Sequence, residues 1–193
     1  MRAGTFFRRF TAADGREVTL RAPRWSDLDD MLHFINSLVE EGAEISADEK
    51  TTREREVDWL ARKLSDLEKD RAIIVVAEAD ERFVGQVEVN PKFGRSNHVG
   101  VLGISILGGY RDVSIGTELM REAERQAPRL GLRIITLEVI ATNDRARHVY
   151  EKVGYRDVGR IPKAHAIGDG YADAIMMVKE LAPPVGPAQP AQG

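Results

Sequence analysis

Hydrophobic positions in this chain change period several times, and each change marks an element. Residues 5–22 carry Phe6, Phe7 and Phe10, then Val18 and Leu20, with Asp14-Gly15 between them, which is the pattern of a β-hairpin. From Ser26, a residue type suited to an N-cap, to about Glu41, the stripe Leu28, Met31, Leu32, Ile35 and Val39 repeats at helical spacing, and Gly42 ends it. Residues 43–52 are polar and unpatterned and read as a loop. A second helix is expected over Arg53 to Leu67, with Val57, Leu60, Ala61 and Leu64 on one face and its charges on a solvated outer face. Two strands follow, Ala72 to Glu78 and Phe83 to Val89, joined by the polar turn Ala79-Asp80-Glu81-Arg82, and Pro91 to Asn97 is a loop.

The rest of the chain is organised around residues 101–117. Val101 to Leu107 is an apolar run that reads as a buried strand, and Gly108-Gly109 break it. Tyr110 to Thr117 then opens a helix whose stripe is Ile115, Leu119, Ala123 and Ala127, stopped by Pro128 to Gly131. Arg133 to Ile140 is a further buried strand, and Asn143 or Asp144 caps a short helix to about Val153. Tyr155 to Ile161 and Tyr171 to Lys179 read as a last antiparallel pair around a loop at 162–171. From Ala182 onward the Pro-rich, weakly apolar tail (182–193) is expected to be disordered. The order β-β-α-α-β-β-β-α-β-α-β-β predicts an α/β (α+β) domain over 1–181, a mixed sheet with helices on both faces.

Composition narrows the function. With 28 basic and 31 acidic residues the net charge is −3, which gives no pull toward nucleic acid or an anionic membrane. The absence of cysteine excludes disulfides, thiolate metal sites and a cysteine nucleophile. His33, His98, His148 and His165 show no ligand spacing, so no metal is expected. No run of 18 apolar residues and no leader-type apolar region occur, so the expected location is the cytoplasm.

A strand, a glycine-bearing turn and a helix start in succession make an anion site, because the first N–H groups of a helix have no internal partner. It is not a nucleoside-triphosphate loop, which needs G-x-x-x-x-G-K-[ST], nor a dinucleotide fingerprint, since Gly108, Gly109 and Gly116 lack the G-x-G-x-x-G spacing. The stretch resembles the signature [QR]-x-x-G-x-[GA] of the GNAT superfamily of N-acetyltransferases. Arg111 stands at the first position and Gly116 at the last, while Ser114 replaces the usual middle glycine. Residues 136–155, T-L-E-V-I-A-T-N-D-R-A-R-H-V-Y-E-K-V-G-Y, resemble the second GNAT signature, N-x-x-A-x-x-x-Y-x-K-x-G-[FY] after a strand. Asn143, Ala146, Tyr150, Lys152, Gly154 and Tyr155 all match in place.

The resemblance covers about residues 17–181. It implies the GNAT fold, a mostly antiparallel twisted sheet of about seven strands, here with an extra N-terminal strand, and acetyl-CoA as co-substrate. It further implies that Arg111 and the N–H groups of Asp112, Val113, Ser114, Ile115, Gly116 and Thr117 cradle a pyrophosphate. The strands at 99–107 and 133–140 would splay so that the pantetheine arm pairs with the main chain of Ile104 and Ile106, with Ser105 also among the cofactor-binding residues. Asn143 would hydrogen-bond the pantetheine, with Ala146 and Lys152 beside it. Tyr150 would protonate the departing thiolate, as transfer from a thioester requires.

The base is less legible. A lysine amine is only about 0.1% neutral near pH 7.4, so such an acceptor demands a base or a water chain. The central strand carries no carboxylate, a departure from the glutamate usual there in the family. Glu88 is the nearest candidate base, with His98 and Glu138 behind it. Alternation groups Glu88 with Val84 and Gln86, away from Phe83, Val87 and Val89. Glu40, Glu41, Glu44, Asp48 and Glu49 lend the first inter-helix loop an acidic cast suited to a cationic acceptor. A protein lysine or N-terminal amine, a small-molecule amine and a homodimer all stay open. So does a catalytically silent acyl-CoA-binding module, favoured by Ser114 and the missing glutamate.

Overall fold

The structure, a computed structural model, describes residues 1–45 and 47–182; the tail expected to be disordered lies outside the described residues from 183 on. The elements are β1 (Phe6–Thr11), β2 (Glu17–Arg21), α1 (Leu28–Glu40), α2 (Arg53–Glu68), β3 (Ile73–Ala79), β4 (Arg82–Pro91), β5 (Val99–Ile106), α3 (Ile115–Gln126), β6 (Ile134–Ile140), α4 (Asp144–Val153), β7 (Arg156–Ile167) and β8 (Gly170–Glu180). They follow the expected order. One eight-stranded sheet runs β1-β2-β3-β4-β5-β6-β8-β7. Every neighbouring pair is antiparallel except β5 and β6. The extra N-terminal strand β1 pairs with β2 at one edge.

Helices cover both faces, and β3 shows why. Ile73, Val75 and Ala77 join the core under α3 and α4, whereas Val76 packs with Leu28, Met31, Phe34 and Leu38 of α1 and Leu60 and Leu64 of α2. A strand buried on both sides reads as a continuous apolar run, which is the sequence of β3. The stripe of α3 is buried as expected, at Ile115, Leu119, Ala123 and, just past its end, Ala127. On α1 the buried face turns slightly: Phe34 and Leu38 go inside, and Leu32, Ile35 and Val39 are half-buried. On α2 it comprises Glu56, Leu60, Leu64 and Leu67, leaving Val57 and Ala61 at its edge.

Four expectations change. Ser26 does not cap α1. A short 3₁₀ turn, Trp25–Asp27, precedes the helix, and Asp27, buried in an ion pair with Arg21 (2.7 Å), accepts instead from the Arg24 N–H at 2.9 Å. The region 110–114 is not helical, because Gly109, Asp112 and Ser114 all hold positive φ, so α3 begins only at Ile115. The loop at 162–171 is strand instead: the β7–β8 ladder runs out to Ile167↔Gly170, past the core, where polar composition mimics a loop.

The fourth change concerns the site. A β-bulge on β4 sets Ala77 opposite Gly85 but Glu78 opposite Phe83, so Val84 is an extra residue. One extra residue inverts the alternation. Val84 therefore joins Val87 and Val89 under α3, and Gln86 and Glu88 face the α1–α2 side with Phe83. Among the described residues no helix is long and apolar enough to cross a membrane.

Candidate active site

The parallel pairing of β5 and β6 stops after four registered pairs, Val99↔Ile134 to Leu102↔Leu137. Beyond it β5 stays with β4 out to Ile106, and β6 stays with β8 out to Ile140. The two strands thus part, and the edge of β5 from Gly103 to Ile106 is left without a strand partner on that side. Leu107 N–H donates to Val84 on β4 (2.9 Å), so the backbone groups of Ile104 and Ile106 point the other way, into the gap. There the Ile106 carbonyl accepts from Arg111 Nε at 2.7 Å. Ser105 turns its carbonyl toward β4, 3.1 Å from where a Gly85 Cβ would stand, so only its side chain is available to the gap.

At the end of β5 the turn into α3 takes left-handed backbone at Gly109, Asp112 and Ser114, which holds the chain out of the helix until Ile115. Glu118 N–H makes the first bond of α3, to the Ser114 carbonyl at 3.1 Å, so the N–H groups of Ile115, Gly116 and Thr117 precede the ladder. Ile115 is buried and Val113 packs on the core, which confines their share to the backbone. Ser114 holds φ +75°. That explains the glycine usual at this position, and Ser114→Gly is expected to raise the thermal midpoint by roughly 2–4 °C, about 1 kcal/mol of relieved strain. A lowered midpoint in a melting curve would show that the serine side chain anchors the turn.

This turn, the β5 edge and α4 enclose a cleft of about 620 Å³ lined by Arg111, Asp112, Gly116, Ala146 and Lys152. Asn143 caps α4, its Oδ1 accepting from Ala146 N–H at 2.9 Å, and among the described residues its amide NH₂ has no acceptor. A second cleft, of about 720 Å³, opens on the α1–α2 side and holds Phe34, Glu56, Trp59, Glu88 and His165. The two clefts meet at Ile104, Ser105, Asn143 and Tyr150. Tyr150 is buried, and burial pushes its phenol up to about 12, so it keeps its proton at neutral pH. A phenol held protonated between two clefts can serve a reaction whose partners enter from opposite sides.

The acetyltransferase (GNAT) family model matches residues 32–155, well over half of the chain. The chain belongs to the GNAT family. An uncharacterized N-acetyltransferase of Methanocaldococcus jannaschii is 32% identical over 113 residues, 58% of this chain and 69% of that protein. A GNAT acetyltransferase from Streptococcus pneumoniae is 25% identical and superposes with a TM-score of 0.76, covering 84% of this chain and 99% of the other. The microcin C7 self-immunity acetyltransferase, solved with acetyl-CoA and AMP, shares the fold at a TM-score of 0.71 and 15% identity, over 84% of this chain and 92% of its own. This GNAT protein is an acyltransferase, and acetyl-CoA is the co-substrate of the family. The residues of the first cleft suit that group: a free strand edge for the amides of the arm, a helix start for the pyrophosphate, and a Cβ-less Gly116 beside it.

Other side chains stand where the sequence did not place them. Glu88 lies in the second cleft, but its carboxylate is held by Lys63. His98 is exposed where β5 begins, outside both clefts. Glu138 lines the second cleft, its Oε1 3.0 Å from Nε2 of His165, which the extended β7 carries in. Arg111 also pairs with Glu41, and Arg145 with Asp112 at 2.7 Å. Glu44 of the α1–α2 loop accepts from Thr142 Oγ1 at 3.0 Å and so borders both clefts. Arg145 and His165 carried no sequence signal, because each gains its place only from the packing of distant elements.

Proposed function

We propose that the protein transfers acetyl from acetyl-CoA to a primary amine by direct attack within a ternary complex. The observation that carries this is Tyr150 at the meeting of two clefts, one of about 620 Å³ along the free β5 edge and the start of α3, the other of about 720 Å³ on the α1–α2 side. Arg111 and the N–H groups from Asp112 to Thr117 hold the pyrophosphate. Arg111 can turn to it only by loosening from Glu41. The main-chain groups of Ile104 and Ile106, with the Asn143 amide, hold the pantetheine, and Ser105, Ala146 and Lys152 flank it. Bound there, acetyl-CoA supplies an activated acetyl thioester. Tyr150 gives its proton to the leaving sulfur.

Glu88 takes the proton of the acceptor amine, directly or through a water, once its pair with Lys63 loosens. Glu88→Gln is expected to cut kcat/KM at least ten-fold and to remove or displace the acidic limb of its pH profile. An unchanged limb would assign that limb to another group or to the amine itself. The reaction is tested by incubation with acetyl-CoA and a set of amines while free thiol is followed. Thiol release that depends on an amine supports acetyl transfer. Tight acetyl-CoA binding without turnover on any amine would instead favour a silent acyl-CoA-binding module.

A further inference from the structure

Six carboxylates line the second cleft. Glu88 pairs with Lys63, Glu44 accepts from Thr142 at 3.0 Å, Glu138 lies 3.0 Å from His165, and Glu49 and Asp58 are exposed to water. Glu56 is different. It sits on the buried stripe of α2 with only 7% of its surface exposed, and it lines the cleft. Burial raises its proton affinity, with no cation or hydrogen bond among the described residues to offset the cost. Arg55 and Arg62 also line this cleft, but both are exposed, and Arg62 turns its Nε to the Asp58 carbonyl. A carboxylate largely withdrawn from water and left unpaired is costly, and a cation brought by a ligand into the cleft would reduce that cost. Around it the cleft is walled by Met31, Phe34, Ile35 and Trp59, which suit a short alkyl chain.

We propose that the acceptor of this cleft is an aliphatic diamine, its second ammonium held by Glu56 while the alkyl stem lies along Phe34 and Trp59. The assignment deepens the proposed acetyl transfer, from which it takes only the second cleft as the acceptor's place. An amine bearing a carboxylate in place of the second ammonium meets Glu56 with like charge and is rejected.

The test is calorimetric titration of the protein saturated with coenzyme A, using putrescine, n-butylamine and γ-aminobutyrate, which share a four-carbon stem. Putrescine is expected to bind about ten-fold more tightly than n-butylamine, the scale of one hydrogen bond to a charged group, and γ-aminobutyrate most weakly. Glu56→Gln should bring putrescine to the level of n-butylamine and keep or raise the thermal midpoint, because it removes an unpaired buried charge. In turnover assays the same change should appear in KM, with kcat little altered. Equal binding of putrescine and γ-aminobutyrate by the unaltered protein would overturn the assignment whether or not the variant folds. So would a putrescine preference that survives in Glu56→Gln. Binding is read without turnover, so a failure of acetyl transfer on every amine overturns the reaction and not the diamine site.

Discussion

Tyr150→Phe is expected to lower kcat on the order of 10²–10⁴-fold while leaving acetyl-CoA affinity within about two-fold. The change keeps the ring that packs near Tyr155, with ring centres 6.4 Å apart, and removes only the hydroxyl. Burial alone pushes this phenol up to about 12, and among the described residues no hydrogen bond contributes to the shift. The variant should therefore fold normally, and the lost rate can be read as lost proton transfer. The raised value has a second consequence. Its contribution to stability is whole below pH 10 and is lost as pH climbs toward about 12, a loss the phenylalanine variant should show only in part, because the buried Tyr155 phenol, also raised, remains. Single-turnover rates with saturating acetyl-CoA, beside a binding isotherm, make the measurement. A fall smaller than about three-fold would leave Tyr150 a packing residue.

Gly116→Glu is expected to weaken acetyl-CoA binding ten-fold or more, roughly 1.4 kcal/mol. A Cβ at this position would stand 3.0 Å from Ile106 Cδ1 and 4.0 Å from Ile104 Cδ1, at the floor of the cofactor cleft. The nearer atom is the mobile tip of a side chain, so Gly116→Ala should cost little, and the comparison separates bulk at the backbone from obstruction of the cleft. A glutamate in the first turn of α3 is favourable to the helix itself, because its charge complements the dipole. Loss of affinity would then not be loss of fold. That same carboxylate would occupy the space of the phosphate and repel it. Calorimetry showing unchanged affinity in a folded Gly116→Glu variant would take the pyrophosphate away from this turn.

Both residues were legible in the chain because their signals are local. Gly116 closes a six-residue pattern and Tyr150 sits seven residues after Asn143, so a single turn or helix fixes each. Glu88 was found as a strand-end carboxylate, but its face was not. The extra Val84 in the β4 bulge is visible only in the ladder against β3, since alternation counted along one strand contains no sign of an inserted residue. Glu56 was read as part of a solvated helix face. Sequence periodicity places it at the margin of an apolar stripe, and only the packing of α1 and β4 against α2 turns that margin inward.

The sequence by itself determined the order of the elements, the buried stripe of α3, a helix cap at Asn143 or Asp144 and the two signatures that mark the family. Those properties rest on neighbours within about one or two turns, where backbone geometry and hydrophobic period act directly. The tertiary structure alone decided that β8 inserts between β6 and β7, that β5 and β6 part after Leu102 and Leu137, and that Arg111 finds Glu41 across 70 residues of chain. Long-range pairings of this kind depend on which faces are left unburied once every element has packed. That balance is a sum over the whole chain, and no single stretch of residues encodes it.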